Sequence, residues 1–449
     1  MKILLGCVFV AAAVQQLLTL IAVKRSSRFL SQDANAKRLP VGHAPCVAIV
    51  IPVLREQASI EGALEHFCGL RYPNVRIIVV STEREGPVES HGSTMEVLRR
   101  LSSQYDFTWL HYPSSIGTKA DQINYVVDHF PELFTEFDPS QIFIAVYDVD
   151  SRPHSRTLEC FWSTYQARSS ARVFQQSSLF TLNSLEEKRL GYVKRPFLKA
   201  NAIRATRFVL GYEIPRLRRR LCFYRGDSSL IGRLTYAHCV GHGLFLRLDL
   251  LQSLRFPRGS ILEDMFYGFL LNCAYEPVIP LPLLDYAEVP SSVTAIFFQM
   301  SRWFLGPSRT LSYYHYAQKS HLVREQQEAY ALVVSGWWYS ARWLFTSPFI
   351  LSALAICVFN DIVLLKFAAG AFILMYETSV MATISVHNRM LRSTDPDDKK
   401  ASIRIPELWL IMAMYPAVLI FHSFPAYHCL MDAVFRGGRG SRKLKTERP

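Results

Sequence analysis

Apolar residues are distributed along this chain in three ways. At the two ends they form long stretches. Residues 3–23 are mostly apolar, about the ~20 residues a helix needs to cross a bilayer, and residues 331–359, 362–386 and 408–431 have the same character. Between residues 44 and 150 the apolar runs are short and rich in Val and Ile, at 46–52, 76–80 and 141–147. Such runs predict buried parallel strands. Amphipathic segments at 60–70, 95–105 and 120–130 separate them and predict crossover helices. The expected fold is α/β, an open doubly wound sheet with flanking transmembrane helices. Ligands bind such sheets beyond the carboxyl ends of the strands, where Pro52, Ser81 and Asp148 fall.

This pattern divides the chain into five parts. Residues 1–24 form an N-terminal transmembrane anchor. They are long for a signal peptide, and no small-x-small cleavage site precedes Lys24-Arg25. A polar linker over 31–42 leads to a soluble domain at 44–290. Basic residues after the anchor place that domain in the cytosol, at a plasma or inner membrane. Residues 291–307 form an amphipathic interfacial helix, 329–432 a C-terminal transmembrane region and 433–449 a basic tail. Pro416 and Pro425 interrupt the last apolar stretch, which suits either one span or a broken, re-entrant helix.

Net charge is +13, which admits nucleic acid, anionic membrane or acidic substrates as partners. The positive residues sit beside the apolar stretches, at Lys24, Arg25 and Arg28, at Lys399, Lys400 and Arg404, and from Arg436 to Lys445. That placement favours membrane lipids, and no helix-turn-helix or zinc-finger pattern supports nucleic acid. The nine cysteines include no Cys-x-x-Cys, which fits a reducing compartment. His238, Cys239 and His242 lack a further cysteine at metal-ligand spacing and read as structural. Arg216, Arg218, Arg219 and Arg220 suit either a solvated helix face or contact with lipid headgroups.

Four motifs carry candidate chemistry. Asp148 and Asp150 follow a predicted strand, where alternate side chains face one way. Paired carboxylates invite a hard cation, Mg²⁺ or Mn²⁺, that bridges to substrate phosphates. The same pair also suits a polar strand end. Glu263 and Asp264 offer a general base, or acids favoured at a helix N-terminus. Val240-Gly241-His242-Gly243 precedes them, where glycines permit close approach of backbone to a ligand. Gln299, Arg302 and Trp303 share one helix face. Their side chains offer hydrogen bonds, a bidentate fork for a diphosphate and a flat platform for a sugar ring, or simply a membrane anchor.

Taken together, residues 47–307 resemble the membrane-embedded family 2 glycosyltransferases: the cellulose, chitin and hyaluronan synthases, with ceramide glucosyltransferases close in pattern. The resemblance implies a GT-A type, Rossmann-like domain. It also implies inverting transfer of a hexose from a nucleotide sugar, a UDP-sugar by the family's pattern, to a growing polysaccharide or oligosaccharide. Pro52 and Glu56 look like the family's Pro-x-x-x-Glu turn. Lys119 and Asn124 look like its segment near the donor, and Asp148 and Asp150 like its Asp-x-Asp. Asp150 would bind the metal and Asp148 would face the donor. Asp264 would be the catalytic base, beside Glu263 toward the acceptor. Gln299 and Arg302 would hold the donor diphosphate and Trp303 the acceptor. The chain departs from the pattern after its second strand, where many members carry two aspartates. Here it reads Ser81-Thr82-Glu83, leaving Glu83 as the substitute. Leu262 stands for the usual Thr, and Gly241-His242-Gly243 for Gly-Thr-Gly. The small membrane inventory suits a short oligomer, or a longer product through homo-oligomerisation of the protein, and it also suits transfer of a single sugar to a lipid. The missing aspartates leave room for a non-catalytic subunit of a synthase complex.

Overall fold

The computed structural model describes residues 2–34, 42–86, 92–182, 187, 189–226, 229–260, 262–394 and 402–435. The basic stretches at 399–400 and 436–445 lie outside the described residues. A mixed seven-stranded sheet forms the centre, in the order β3-β2-β1-β4-β8-β6-β9. Strands β1 (Cys46–Pro52), β2 (Val75–Thr82), β3 (Thr108–Tyr112) and β4 (Ile142–Val146) are parallel. Helices α2 (Ile60–Cys68), α3 (Thr94–Leu101) and α4 (Lys119–Asp128) connect them, close to the predicted crossovers. Ser81 lies within β2 rather than past its end. Side chains of β1 alternate between two cores: Cys46, Ala48 and Val50 on one face, Val47, Ile49 and Ile51 on the other. That period of two is what a sheet covered on both sides requires.

The chain runs outward from β1 through β2 to β3, then returns to place β4 on the other side of β1. The gap between the carboxyl ends of β1 and β4 is therefore a switch point, the usual crevice for a ligand. Beyond β4 the chain forms α5 (Thr157–Gln166), β6 (Val173–Gln175), β8 (Leu244–Arg247) and β9 (Val278–Pro280). Strand β8 runs antiparallel to both neighbours. A second sheet, β5-β10-β7, joins Arg152–Pro153, Asp285–Glu288 and Ser178–Thr181. It sits just past the Asp-x-Asp turn.

Among the described residues four helices are long and apolar enough to cross a membrane. The N-terminal helix α1 (Lys2–Ala34) continues past the predicted anchor and into the predicted linker. Helix α6 (Lys194–Phe208) leads through a π-helical stretch (Val209–Glu213) into α7 (Ile214–Tyr224). Then follow α8 (Glu263–Cys273), α9 (Val293–Ser308), α10 (Thr310–Lys319), α11 (Gln326–Phe359), α12 (Val363–Thr394) and α13 (Ile405–Phe435). Helix α13 is one continuous helix despite Pro416 and Pro425. Packing pairs α1 with α12 and α11 with α13, while α6 and α9 lie against α13.

Small polar residues join α11 to α13. Pro348 has no N–H, so the carbonyl of Leu344 lacks its partner within the helix. The Tyr427 hydroxyl donates to it at 2.6 Å. One residue earlier, Ser423 Oγ accepts from Ser347 N at 3.1 Å and donates to the Trp343 carbonyl at 2.7 Å. The freed backbone is thus satisfied by the neighbouring helix, as a low-dielectric surrounding demands.

Of the basic segment, Arg220 is buried and Arg216 is half-buried against an aromatic ring. Arg220 is 2% exposed, its guanidinium 3.6 Å from Glu328. Arg216 lies over the Tyr339 ring at 5.0 Å. Helix α7 packs these two inward because its apolar face alternates with them.

Candidate active site

A cavity of about 1310 Å³ opens at the switch point. It is lined by Pro52, Glu56, Lys119, Asp148, Asp150, Glu263, Asp264, Gln299, Arg302 and Trp303, all singled out from the sequence. Two candidates lie elsewhere. Glu83 is exposed on the turn after β2, its N–H bonded to the Tyr112 carbonyl at 3.2 Å, while its neighbour Arg84 lines the cavity. That turn aims residue 84, not residue 83, inward. Asn124 is buried and structural. Its amide donates to the Phe256 carbonyl at 2.9 Å and accepts from Phe256 N at 3.1 Å, tying α4 to that loop.

Local sequence explains how each group is held. After β1 the chain turns through Arg55, whose φ of 57° is costly for a residue with a side chain. The turn is fixed because Glu85 accepts from Arg55 N at 2.7 Å and from Thr94 N at 2.6 Å. Lys119 opens α4, capped by a Thr118–Asp121 box. Its ammonium donates to Asp148 Oδ1 at 2.6 Å and to the Gly241 carbonyl at 2.5 Å. Burial opposes that charge, but Asp148, Glu263 and Asp264 outweigh it and hold Lys119 above its ordinary value.

Glu263 and Asp264 start α8. Burial, followed by the charge of Asp264, raises Glu263 to about 7. Burial raises Asp264 as well, partly offset by the hydrogen bond from Met265 N and by Lys119. A carboxylate lifted toward neutrality is a better general base than an ordinary one. Gly241 is where it is because there is no room for a side chain. A Cβ there would stand 3.1 Å from Asp264 Oδ2 and 3.4 Å from Lys119 Nζ. Gly306 plays the same part for α9: a Cβ would collide with the Met265 side chain, so glycine lets the Gln-x-x-Arg-Trp helix lie directly on α8. The far side of α9 is pinned by Ser301, which donates to the Pro425 carbonyl of α13 at 3.0 Å. The motif helix is thus clamped between the base-bearing helix and the membrane helices.

Reading from sequence missed a further pair. His242 Nδ1 lies 3.2 Å from Asp285 Oδ2, and Asp285 is fully buried. Burial opposes the imidazolium, but Asp285 outweighs it and raises His242 to about 9. Burial raises Asp285 too, so the pair keeps its proton at neutral pH. The Gly-His-Gly departure was the visible signal. Its partner comes from β10 through long-range pairing that no local pattern reveals. His238 is separate: buried with Nδ1 unpaired, it is lowered to about 3 by burial and the charge of Arg216.

Among the described residues no group of three or more His, Cys, Asp and Glu forms a ready cage for a metal ion. Asp148 is engaged by Lys119, while Asp150 lines the cavity. One or two carboxylates fit Mg²⁺ or Mn²⁺ ions that take their remaining ligands from water and substrate phosphates. They do not fit a structural zinc site.

No protein-family model matches the chain, and no curated protein matches it. Among solved structures it is similar to the mannosyltransferase PcManGT from Pyrobaculum calidifontis, in complex with GDP-Man and Mn²⁺. The identity is 14% and the TM-score 0.48, over 96% of this chain and 99% of that one. It is also similar to S. aureus TarS 1–349, at 10% identity and a TM-score of 0.38, over 83% of this chain and 90% of that one. The same TarS fragment in complex with UDP-GlcNAc gives 12% and 0.39.

Proposed function

We propose that the chain is an inverting membrane glycosyltransferase that moves a sugar from a nucleotide-sugar donor to an acceptor hydroxyl. The observation that carries this reading is the meeting of Asp148, Asp150, Lys119, Asp264 and Arg302 in one cavity at the switch point. Asp264 accepts the proton of the acceptor hydroxyl, which attacks the anomeric carbon from the face opposite the diphosphate. Arg302 faces the departing diphosphate, where a fixed guanidinium stabilises developing negative charge. Lys119 pairs with Asp148 and orients it. Trp303 offers its ring to a sugar at the exposed edge of α9. A divalent ion held by Asp150 would supply further neutralisation of the diphosphate.

Transfer to a carbohydrate chain and transfer to a lipid both suit this chemistry. The cavity favours the lipid reading, because its lining continues into α1, α11, α12 and α13. The test is a screen of nucleotide sugars against the purified full-length protein. Divalent-dependent release of nucleoside diphosphate and a mass-identified product are expected. Absence of release with every donor sinks the reading and leaves the non-catalytic alternative.

A further inference from the structure

The cavity is far larger than the catalytic groups need. Pockets that enclose one small ligand span roughly 300–1000 Å³, and this one is about 1310 Å³. Its character changes along its length. At the catalytic end Lys119 faces Asp148 and His242 faces Asp285. Past Tyr212 the wall carries Arg204, Arg207 and Arg342, and their hydrogen bonds go to neutral groups. Arg207, 5% exposed, donates to Ser379 Oγ at 2.8 Å, Tyr376 Oη at 3.3 Å and Gln16 Oε1 at 2.5 Å. Arg204 donates to Asn201 Oδ1 at 3.2 Å and reaches Met300 Sδ at 3.9 Å. Arg342 donates to Tyr212 Oη at 2.9 Å and lies 4.7 Å from that ring. Neither Glu213 beside Tyr212 nor Glu377 beside Tyr376 forms an ion pair with these guanidiniums among the described residues.

Three arginines in a cavity wall without an ion-pair partner among the described residues are costly, because buried charges are normally paired. Each guanidinium has five N–H donors in a fork suited to phosphate, and Arg342 spends one of them on Tyr212. Beyond the arginines the lining turns apolar, with Val8, Ala12, Phe349, Ile350 and Phe372. Val8 and Phe345 line the cavity and are also 42% and 64% exposed on the membrane helices. Val8 of α1 and Phe345 of α11 thus reach both the cavity and the outer face of their helices, and deeper in the same seam the Phe9 and Phe349 rings meet at 4.7 Å between centroids.

We propose that the acceptor is a phosphate-bearing lipid: its hydroxyl-carrying head reaches Asp264, its phosphate sits among Arg204, Arg207 and Arg342, and its tail leaves between α1 and α11. This rests on the glycosyltransferase reading for what happens at Asp264, but the phosphate site stands on its own geometry. The order of the lining matches the order of parts in such a lipid, polar head, anion and hydrocarbon.

The test measures binding, not transfer. Full-length protein is exchanged into phosphatidylcholine bilayers doped with phosphatidate or, in a second arm, with diacylglycerol of the same chains. Native mass spectrometry reads the lipid retained, and a third arm adds inorganic phosphate alone. Selective retention of phosphatidate is expected, with a loss of about tenfold or more in the Arg204→Gln/Arg342→Gln double variant, since each charged hydrogen bond lost is worth about a factor of ten. Arg342→Lys should keep most of it. Arg218→Gln, which removes an equal charge on α7 away from the cavity, should keep all of it. If the double variant does not fold, the single Arg342→Gln is read for the same loss. Equal retention of diacylglycerol, or unchanged retention in the variants, overturns the phosphate site. Displacement of phosphatidate by inorganic phosphate at equal concentration overturns the lipid part. Phosphatidate binding in a protein that turns over no nucleotide sugar would remove the transferase reading and leave the site standing.

Discussion

The two ends of the cavity handle charge in opposite ways. At the sheet end, Lys119 meets Asp148 and His242 meets Asp285. These pairs are neutral as units and rigid, so their role is to hold other groups in place. At the helix end, the arginines rest on hydroxyls, amides and rings. Charge that is already compensated orients a reaction, whereas charge left uncompensated in a low-dielectric wall selects what binds there. The sheet end should therefore fail in rate when altered, and the helix end in binding.

The largest expected effect is at the base. Asp264→Asn should lower transfer by about 10²–10⁴-fold, the usual worth of a general base, with the thermal midpoint kept or raised. Removing that charge also lets Glu263 fall from about 7 toward its ordinary value, because Asp264 is second only to burial in raising it. Single-turnover kinetics and carbon-13 titration of the carboxyls read both; full activity in this variant would break the sheet-end half of the contrast. Next is Gly241→Ala. Its new Cβ pushes Asp264 and Lys119 apart without touching either chemically, and a displacement of that size costs about 10-fold to 10²-fold in rate. A drop in kcat with donor binding retained is the expected split.

The pH dependence gives a third, smaller effect with a definite sign. Asp264 works only when deprotonated, and burial lifts it, so the rate should climb with pH above the ordinary carboxyl range. His242 sets the opposite limb. Its folded value of about 9 exceeds its ordinary 6.5. The protonated pair therefore contributes stability in full below about 6.5, and loses it as pH rises through about 9. Asp285→Asn should move the alkaline limb of both rate and melting temperature toward neutrality. An alkaline limb unmoved by this change would show that the pair does not titrate as a unit.

The parallel half of the sheet was legible because each strand there is a continuous apolar run with an amphipathic helix after it. Strands β6 to β10 were not, since three or four residues show no usable period. Of the ten cavity residues, Pro52, Asp148, Asp150, Glu263, Asp264, Gln299, Arg302 and Trp303 stand at a strand end, a helix start or on one helix face, whereas Glu56 and Lys119 were chosen through the family resemblance alone. Glu83 failed because the aim of a turn is set by its backbone bonds, here to Tyr112 in the neighbouring strand. Arg216 and Arg220 were read as surface because charge usually is, but Tyr339 and Glu328 of α11, distant in sequence, receive them. Arg204 and Arg207 did carry a signal: they lie three apart on one helix face, with Asn201 three before them. Only the packing of α6 against α12 and α13 shows that the face is internal.

The smallest effect concerns how the helix end stays rigid without ion pairs of its own. Tyr427→Phe leaves the Leu344 carbonyl, already deprived of a helical donor by Pro348, without a partner. The cost should be about 1 kcal/mol, in the range measured for hydrogen bonds between membrane helices. Pro348→Ala restores an N–H to that position, and the carbonyl can then close its own helical bond. In that background Tyr427→Phe should be nearly neutral, so the two changes couple rather than add. Thermal melting of the four proteins in one detergent gives the cycle. Additive losses would mean that Tyr427 stabilises α13 through its packing, and that the neutral hydrogen bonds of the helix end are incidental to its rigidity.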